Sequence, residues 1–386
     1  MTYDADLSFN YFGPTKVVFE IGAINEIPIQ IAELGSNAVL VTDQGLLETG
    51  LVDKVKKVMG SKLAGVFADV PQDSGMEVVD AGTEYAKSVG ADVIVSLGGG
   101  SVIDTAKGMS ILMKQGGSLA DFEGFQMLTE PQVPHISVPT TAGTGSEVSM
   151  GAVILNREAG QKIILGEDHI IPRVAILDPS LTKSLPPGLT ASTGMDALTH
   201  AIESFVATMK NPVSDALALW AMKTIARYLP VAVTNGSDLE ARGQMQVAAM
   251  VAGWAFSNGY LGAVHAMSHS LGAIKRVPHG IANALLLPHV MKFNLEEIPE
   301  LTAEIGHAMG FSHPGMSAVE AGEAAIAGIE KLLVTVGLPR KLSEFGVTDS
   351  DIDKCSELAM SDGSIVCNPR MVMEPEEIAA IFQQAI

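Results

Sequence analysis

Short apolar runs alternating with helical stretches fill the first half of this chain. Val17 to Phe19, Ala38 to Thr42, Leu63 to Phe67, Val93 to Leu97 and Ile136 to Val138 are rich in β-branched residues and bounded by Gly, Asp or Pro. Uninterrupted runs of this kind predict strands buried on both faces. Between them, Glu77 to Ser88 and Asp104 to Lys114 carry apolar residues at helical spacing. The β-α-β-α order predicts a parallel sheet with crossover helices, and it puts ligand sites at the carboxyl ends of the strands. From Pro186 the pattern changes to Ala-rich and Met-rich helices: Ala191 to Met209, Asp215 to Tyr228, Leu239 to Phe256, Val264 to Ile274 and Met316 to Val336. The strand-like VAILDPS ends just before Lys183–Gly188, where two prolines and a glycine mark a boundary. The expected domains are therefore 1–185, α/β, and 186–386, all-helical.

Bulk properties narrow the class. A chain of 386 residues exceeds the roughly 250–300 at which single cores stop growing. Its 47% hydrophobic content with 39 glycines suits an ordered α/β enzyme. The longest apolar run, Val247 to Phe256, falls short of the roughly 20 residues of a bilayer span. The opening MTYDADLSFN lacks a basic, apolar leader, so a cytoplasmic location is expected. Cys355 and Cys367, the only cysteines, are too few for a disulfide framework. The net charge of −20 argues against nucleic-acid partners, whose phosphates need clustered Lys and Arg.

Candidate chemistry sits in two places. Asp196 and His200 stand four apart in GMDALTH, so a helix puts both on one face. His265 and His269 repeat that spacing, and His279 follows Pro278. One carboxylate with three imidazoles, Asp196, His200, His265 and His279, suits iron(II) or zinc with a position open for a substrate oxygen. Unconnected helical histidines meet the same spacing. His135, His169, His289, His307 and His313 fall outside it and read as structural.

Glycine-rich turns occupy the strand ends of the first half. Val93 to Leu97 runs into Gly98-Gly99-Gly100-Ser101 at a helix start, where backbone N–H groups and the helix dipole suit a pyrophosphate. Ile103 stands where GxGxxG would place its third glycine, and a plain tight turn fits equally. A second loop after a strand, Pro139 to Glu147, offers Thr140, Thr141, Thr144 and Ser146 for phosphate, ribose or amide contacts, or for its own backbone. Asp43 closes Ala38 to Thr42; a carboxylate there accepts from ribose hydroxyls and repels a 2′-phosphate, which favours NAD.

Taken together, GGGSVIDTAK, PTTAGTGSEV, LDPSLTKSLPP, STGMDALTHAIES and VHAMSHSLGAIKRVPHGIANALLLPHV resemble the signature blocks of the iron-containing, group III, alcohol dehydrogenases. The resemblance runs from FGPTKVVFEIGA to NPRMVMEPEEIAAIF. It implies a dehydroquinate-synthase-like fold, an α/β nucleotide-binding domain followed by a helical domain, with metal in the cleft between them. It implies that Asp196, His200, His265 and His279 are the ligands, that His269 lines the cleft, and that Gly98 to Ser101, Asp104 and the Thr140 to Ser146 loop serve the cofactor. It further implies NAD preference at Asp43, a lysine near the nicotinamide at Lys162, and a homodimer or larger homo-oligomer. Where many members carry PNPT this chain has Gln72-Asp73-Ser74-Gly75, which puts the adenosine-side contact of that loop in question.

The implied reaction is reversible hydride transfer between a small primary alcohol or diol and NAD, assisted by Fe2+, with Zn2+ as the other fitting metal. His269 is either a proton relay or a group orienting its neighbours. A hydroxyacid–oxoacid transhydrogenase would exchange substrates without net NADH. A sugar-phosphate cyclase-type lyase would need several cations about a phosphate, whereas only Lys275 and Arg276 lie near the histidine blocks. Phe256, Tyr260 and Phe122 are the expected pocket aromatics.

Overall fold

A computed structural model describes residues 8–386; the acidic residues at the very start of the chain lie outside them. Among the described residues the first half contains nine strands. Six form one parallel sheet: β1 (Lys16–Phe19), β2 (Ala38–Val41), β3 (Leu63–Phe67), β4 (Val93–Gly98), β6 (His135–Pro139) and β9 (Val174–Leu177), in the order β1-β9-β6-β4-β2-β3. Helices α1 (Ile27–Leu34), α2 (Gln44–Glu48), α3 (Leu51–Met59), α4 (Met76–Ser88) and α5 (Gly100–Gln115) connect them. Strand alternation divides the core in two. Ala38 and Leu40 join the cluster containing residues of α1 and α3, while Val39 and Val41 join the one containing residues of α4 and α5.

After β2 the chain moves outward to β3, and after β4 it moves the opposite way to β6. The carboxyl ends of β2 and β4 therefore flank a topological switch point, where open α/β sheets leave a crevice. A second, three-stranded sheet of β5 (Gly124–Phe125), β7 (Gly151–Asn156) and β8 (Gln161–Gly166) was not anticipated from sequence. Its hairpin alternates, with Ala152, Ile154, Ile163 and Leu165 in the core and Val153, Lys162 and Ile164 on the opposite face. A search for continuous apolar runs passes over such half-buried strands.

The second half, from residue 186, holds nine helices, α6 (Pro187–Val206), α7 (Pro212–Thr234), α8 (Leu239–Gly259), α9 (Ala263–Lys275), α10 (His279–Asn294), α11 (Pro299–Met309), α12 (Ala318–Thr335), α13 (Asp349–Met360) and α14 (Pro375–Ala385). The expected helix at Ala191 to Met209 begins and ends earlier, because Pro187 starts it at N1 and the chain leaves helical geometry at Ala207. Among the described residues α7 alone has the length and composition of a bilayer span. Its Ala218, Ala221, Met222, Ile225 and Leu229 are buried in the helical core. That core also takes in Ala142, Val148, Ala175 and Leu177 from the first half, so the two halves pack as one body along the cleft.

Candidate active site

Three helices build a candidate metal-ligand cluster. Asp196 and His200 project from the middle of α6, His265 from the first turn of α9, and His279 from the first turn of α10 after Pro278. Each offers one ligand atom, and the four atoms lie within 4.8 Å of one another. Asp196, His200 and His265 are buried, and burial drives the His265 and His279 imidazoles well below their ordinary pKa, which keeps them neutral as ligands must be.

A cation fits the donors present. Asn283, one turn beyond His279 on α10, places its Nδ2 at 2.7 Å from Asp196 Oδ1, 3.1 Å from His265 Nε2 and 3.2 Å from His279 Nε2. One amide nitrogen with two protons faces three acceptors, so the cluster is short of positive charge at its centre. His200 Nδ1 is buried without a hydrogen-bond partner. The outer layer is in place as well. His265 Nδ1 lies 2.5 Å from Glu203 Oε2, and the other oxygen of Glu203 accepts from Val264 N at 2.7 Å. Such a carboxylate orients a ligating imidazole and fixes its tautomer. Burial pushes the Glu203 carboxyl up to about 7.

His269 stands apart from the four. Its ring stacks on His279 with centroids 5.3 Å apart, and its Nδ1 lies 2.7 Å from Asp362 Oδ2. Burial works to raise the Asp362 carboxyl, but its hydrogen bonds to His269 and Ser364 outweigh that and hold it well below the carboxylate range. Asp362, Glu203 and Asn283 are site residues that the sequence reading missed. Glu203 left the clearest signal, three residues beyond His200 on a helix that the sequence predicts.

Two cavities meet at this cluster. The smaller, about 250 Å³, is lined by all four candidate ligands, by His269, and by Phe256, Tyr260, Phe125, Met150 and Cys367. Phe256 stacks on His200 with centroids 4.5 Å apart. Phe122, expected here, packs instead against the core of the α/β half, because the turn after it brings Phe125 to the cleft. The larger cavity, about 870 Å³, runs along the sheet's switch point past Asp43, Gly99, Gly100, Ser101, Thr140, Thr141 and Thr144. Gly100, Ser101, Thr144, Asp196 and His279 line both.

The larger cavity has the features of a dinucleotide groove. The first turn of α5 presents backbone N–H groups from Gly100 and Ser101, and a Cβ at Gly100 would come within 2.7 Å of Thr144 Cγ2, closing the cradle. Asp43 lines it while one of its oxygens caps α2 by accepting from Leu46 N at 2.9 Å. Gly98 lines neither cavity; a Cβ there would meet Val102, so its role is to let α5 start. Lys162 lines the smaller chamber, in a 2.7 Å ion pair with Asp73, which it meets across the departure from PNPT. Asp104 is bound inward, accepting from Ser146 Oγ and from Val153 N at 3.1 Å. Beside it the buried Lys107 donates to Ser149 O at 2.8 Å and Gly151 O at 2.6 Å. None of His135, His169, His289, His307 and His313 enters the cluster; His135 is buried in the sheet with its Nε2 2.7 Å from Ser96 Oγ.

A three-histidine, one-carboxylate cluster, buried but for His279, beside a groove with the features of a dinucleotide site is the arrangement expected of metal-dependent oxidoreductases that pair a cation with a nicotinamide. Residues 14–179 match the iron-containing alcohol dehydrogenase profile, and residues 190–386 match the C-terminal profile of the Fe-containing alcohol dehydrogenase family. The chain is 42% identical over 383 residues to a 1,3-propanediol dehydrogenase of Klebsiella pneumoniae, covering 98% of each. It is 40% identical to an NAD-dependent methanol dehydrogenase of Bacillus methanolicus, covering 98% of this chain and 100% of that one. The crystal structure of a 1,3-propanediol oxidoreductase superposes with a TM-score of 0.95 at 41% identity, over 98% of this chain and 100% of the other. The chain belongs to the iron-containing alcohol dehydrogenase family.

Proposed function

We propose that this protein interconverts small primary alcohols or diols and their aldehydes with NAD as the hydride carrier, in a cleft between an α/β domain at 1–185 and a helical domain at 186–386. The observation that carries the reading is the position of the ligand cluster, where the 250 Å³ chamber joins the 870 Å³ groove. A divalent cation, iron(II) with zinc as the alternative, would be held by Asp196, His200, His265 and His279 and would supply Lewis acidity to a substrate oxygen. The groove would hold NAD, which supplies the hydride acceptor.

The chain's own groups account for the remaining work. Glu203 orients His265, and Asp362 ties down Nδ1 of His269, leaving Nε2 as the ring atom that exchanges the substrate proton. Phe256 and Met150 exclude water from the reacting carbon. The Gly99 to Ser101 turn and the threonine loop bind the pyrophosphate and orient the nicotinamide. The only Lys or Arg lining the chamber among the described residues is Lys162, and it is paired with Asp73. That leaves no cluster of cations for a substrate phosphate and speaks against a cyclase-type lyase.

The test is an alcohol panel with metal-replete protein. Net NADH from a short primary alcohol or diol, lost on chelation and restored by ferrous ion, is the expected result. Exchange between substrates without net NADH, or turnover indifferent to chelation, overturns the reading. The cofactor assignment has its own test in Asp43→Gly. Losing a solvent-screened repulsion of roughly 1 kcal/mol should shift the NADP to NAD ratio of kcat/KM upward by about fivefold. An unchanged ratio removes Asp43 from the cofactor site.

A further inference from the structure

Behind the small chamber, on the side of α9 and α13, lies another cavity of about 360 Å³. Ala266 and Ala273 of α9 and Leu358 of α13 give it an apolar stretch of wall, beside the polar Ser270, Ser361, Asp362, Glu123 and Gln161. It shares Phe125, Val153, Lys162, Ile164, His269 and Gly363 with the chamber, so these six residues form the partition between the two spaces. Most of that partition is fixed by other bonds. Val153 and Ile164 face each other in the β7–β8 register, Lys162 is paired with Asp73, and His269 is bonded to Asp362. Phe125 has no such bond through its side chain; its ring is the panel.

The backbone is shaped to hold that panel. Phe125 stands between Gly124 at φ +117° and Gln126 at φ +53°, both in the left-handed region that non-glycine residues rarely adopt. In register beside Phe125 is Gly166, where a Cβ would collide with the ring. Gln126 N donates to Gly166 O at 2.9 Å, and the two oxygens of Glu167 accept from Met127 N and Leu128 N. Phe125 is half exposed, at 51%, and lines both cavities.

We propose that Phe125 sets the chain length of the substrate, closing the chamber to all but short alcohols, and that the 360 Å³ cavity is a latent subsite for the apolar tail of a longer primary alcohol or aldehyde. The inference rests on the reading that the 250 Å³ chamber receives the alcohol. Each methylene removed from water is worth roughly threefold to fourfold in binding.

The experiment compares 1-propanol with 1-octanol in the parent, Phe125→Ala and Phe125→Leu, the leucine variant guarding against a folding defect at the alanine. Metal content and cooperative unfolding are checked first. The octanol-to-propanol ratio of kcat/KM should rise by about tenfold or more in Phe125→Ala and by a smaller factor in Phe125→Leu. The same ratio is read from the affinities of the two alcohols for metal-loaded protein by calorimetry. A ratio within twofold of the parent in both folded variants overturns the proposal. If the parent forms no NADH with any alcohol, the reaction proposed above fails; the partition is then judged on the affinity ratio alone, where no change overturns it.

Discussion

Alanine at His265 is expected to empty the metal site and to lower turnover by about a thousandfold, because a Lewis acid contributes several kcal/mol at a developing alkoxide. Of the four candidate ligands, His265 is the one whose other ring nitrogen is bonded to a carboxylate. Its Nε2 faces the cluster while its Nδ1 engages Glu203, a fully buried carboxylate that burial pushes up to about 7. Removing the imidazole deletes a ligand and strands that carboxylate without its ring partner. The measurement is elemental analysis of purified protein beside the rate of NADH formation. Metal bound at parental stoichiometry, or parental turnover without metal, would refute the ligand assignment.

Methionine at Lys107 is expected to destabilise the fold by about 3–5 kcal/mol, the usual cost of leaving a buried charge without its partner. Lys107 is wholly buried, its pKa brought down to about 8 by burial, and it faces the Asp104 and Glu147 carboxyls. Its ammonium also satisfies the carbonyls of Ser149 and Gly151, which tie α5 to the entrance of β7. The loss should depend on pH in a definite direction. Burial raises the Glu147 carboxyl to about 7, so below that pH the carboxyl takes up a proton and stays neutral without help from the lysine. Denaturant unfolding of the variant should therefore show a larger deficit against the parent at pH 8 than at pH 6. An equal deficit at both values would remove Glu147 from the charge balance of this site.

The legible parts of the chain were those with local causes. Five strands of the main sheet lie within a residue or two of their sequence-expected positions; β2, β4 and β6 are buried on both faces and read as unbroken apolar runs, whereas β1 and β3, at the sheet edges, are only partly buried despite the same apolar pattern. The β7–β8 hairpin went unseen, since only every second residue of it reaches the core. Helix α10 was invisible beyond its start at Pro278; it is apolar on almost every side and carries Pro288 within it, so no amphipathic stripe announces it. Phe122 was the wrong aromatic for the same kind of reason. Which of two phenylalanines three residues apart turns toward a cleft depends on Gly124 at positive φ and on the unanticipated strand beside it.

The site divides along the same line. Asp196 and His200 are legible as a pair because four residues are about one turn of a helix, and the glycine turn at Gly98 to Ser101 because a strand runs into it. The groups that complete the cluster are not. Asn283 meets Asp196 across 87 residues of sequence, Glu203 meets His265 across 62, and Asp362 meets His269 across 93. By itself, then, the sequence determined a parallel sheet followed by helices, and ligand pairs already aligned on single helices, since periodicity and turn chemistry act over a few neighbouring residues. Only the tertiary structure decided that α6, α9 and α10 converge, that a carboxylate backs each of His265 and His269, and that Phe125 stands between two cavities, because which faces meet is settled by packing between segments far apart along the chain.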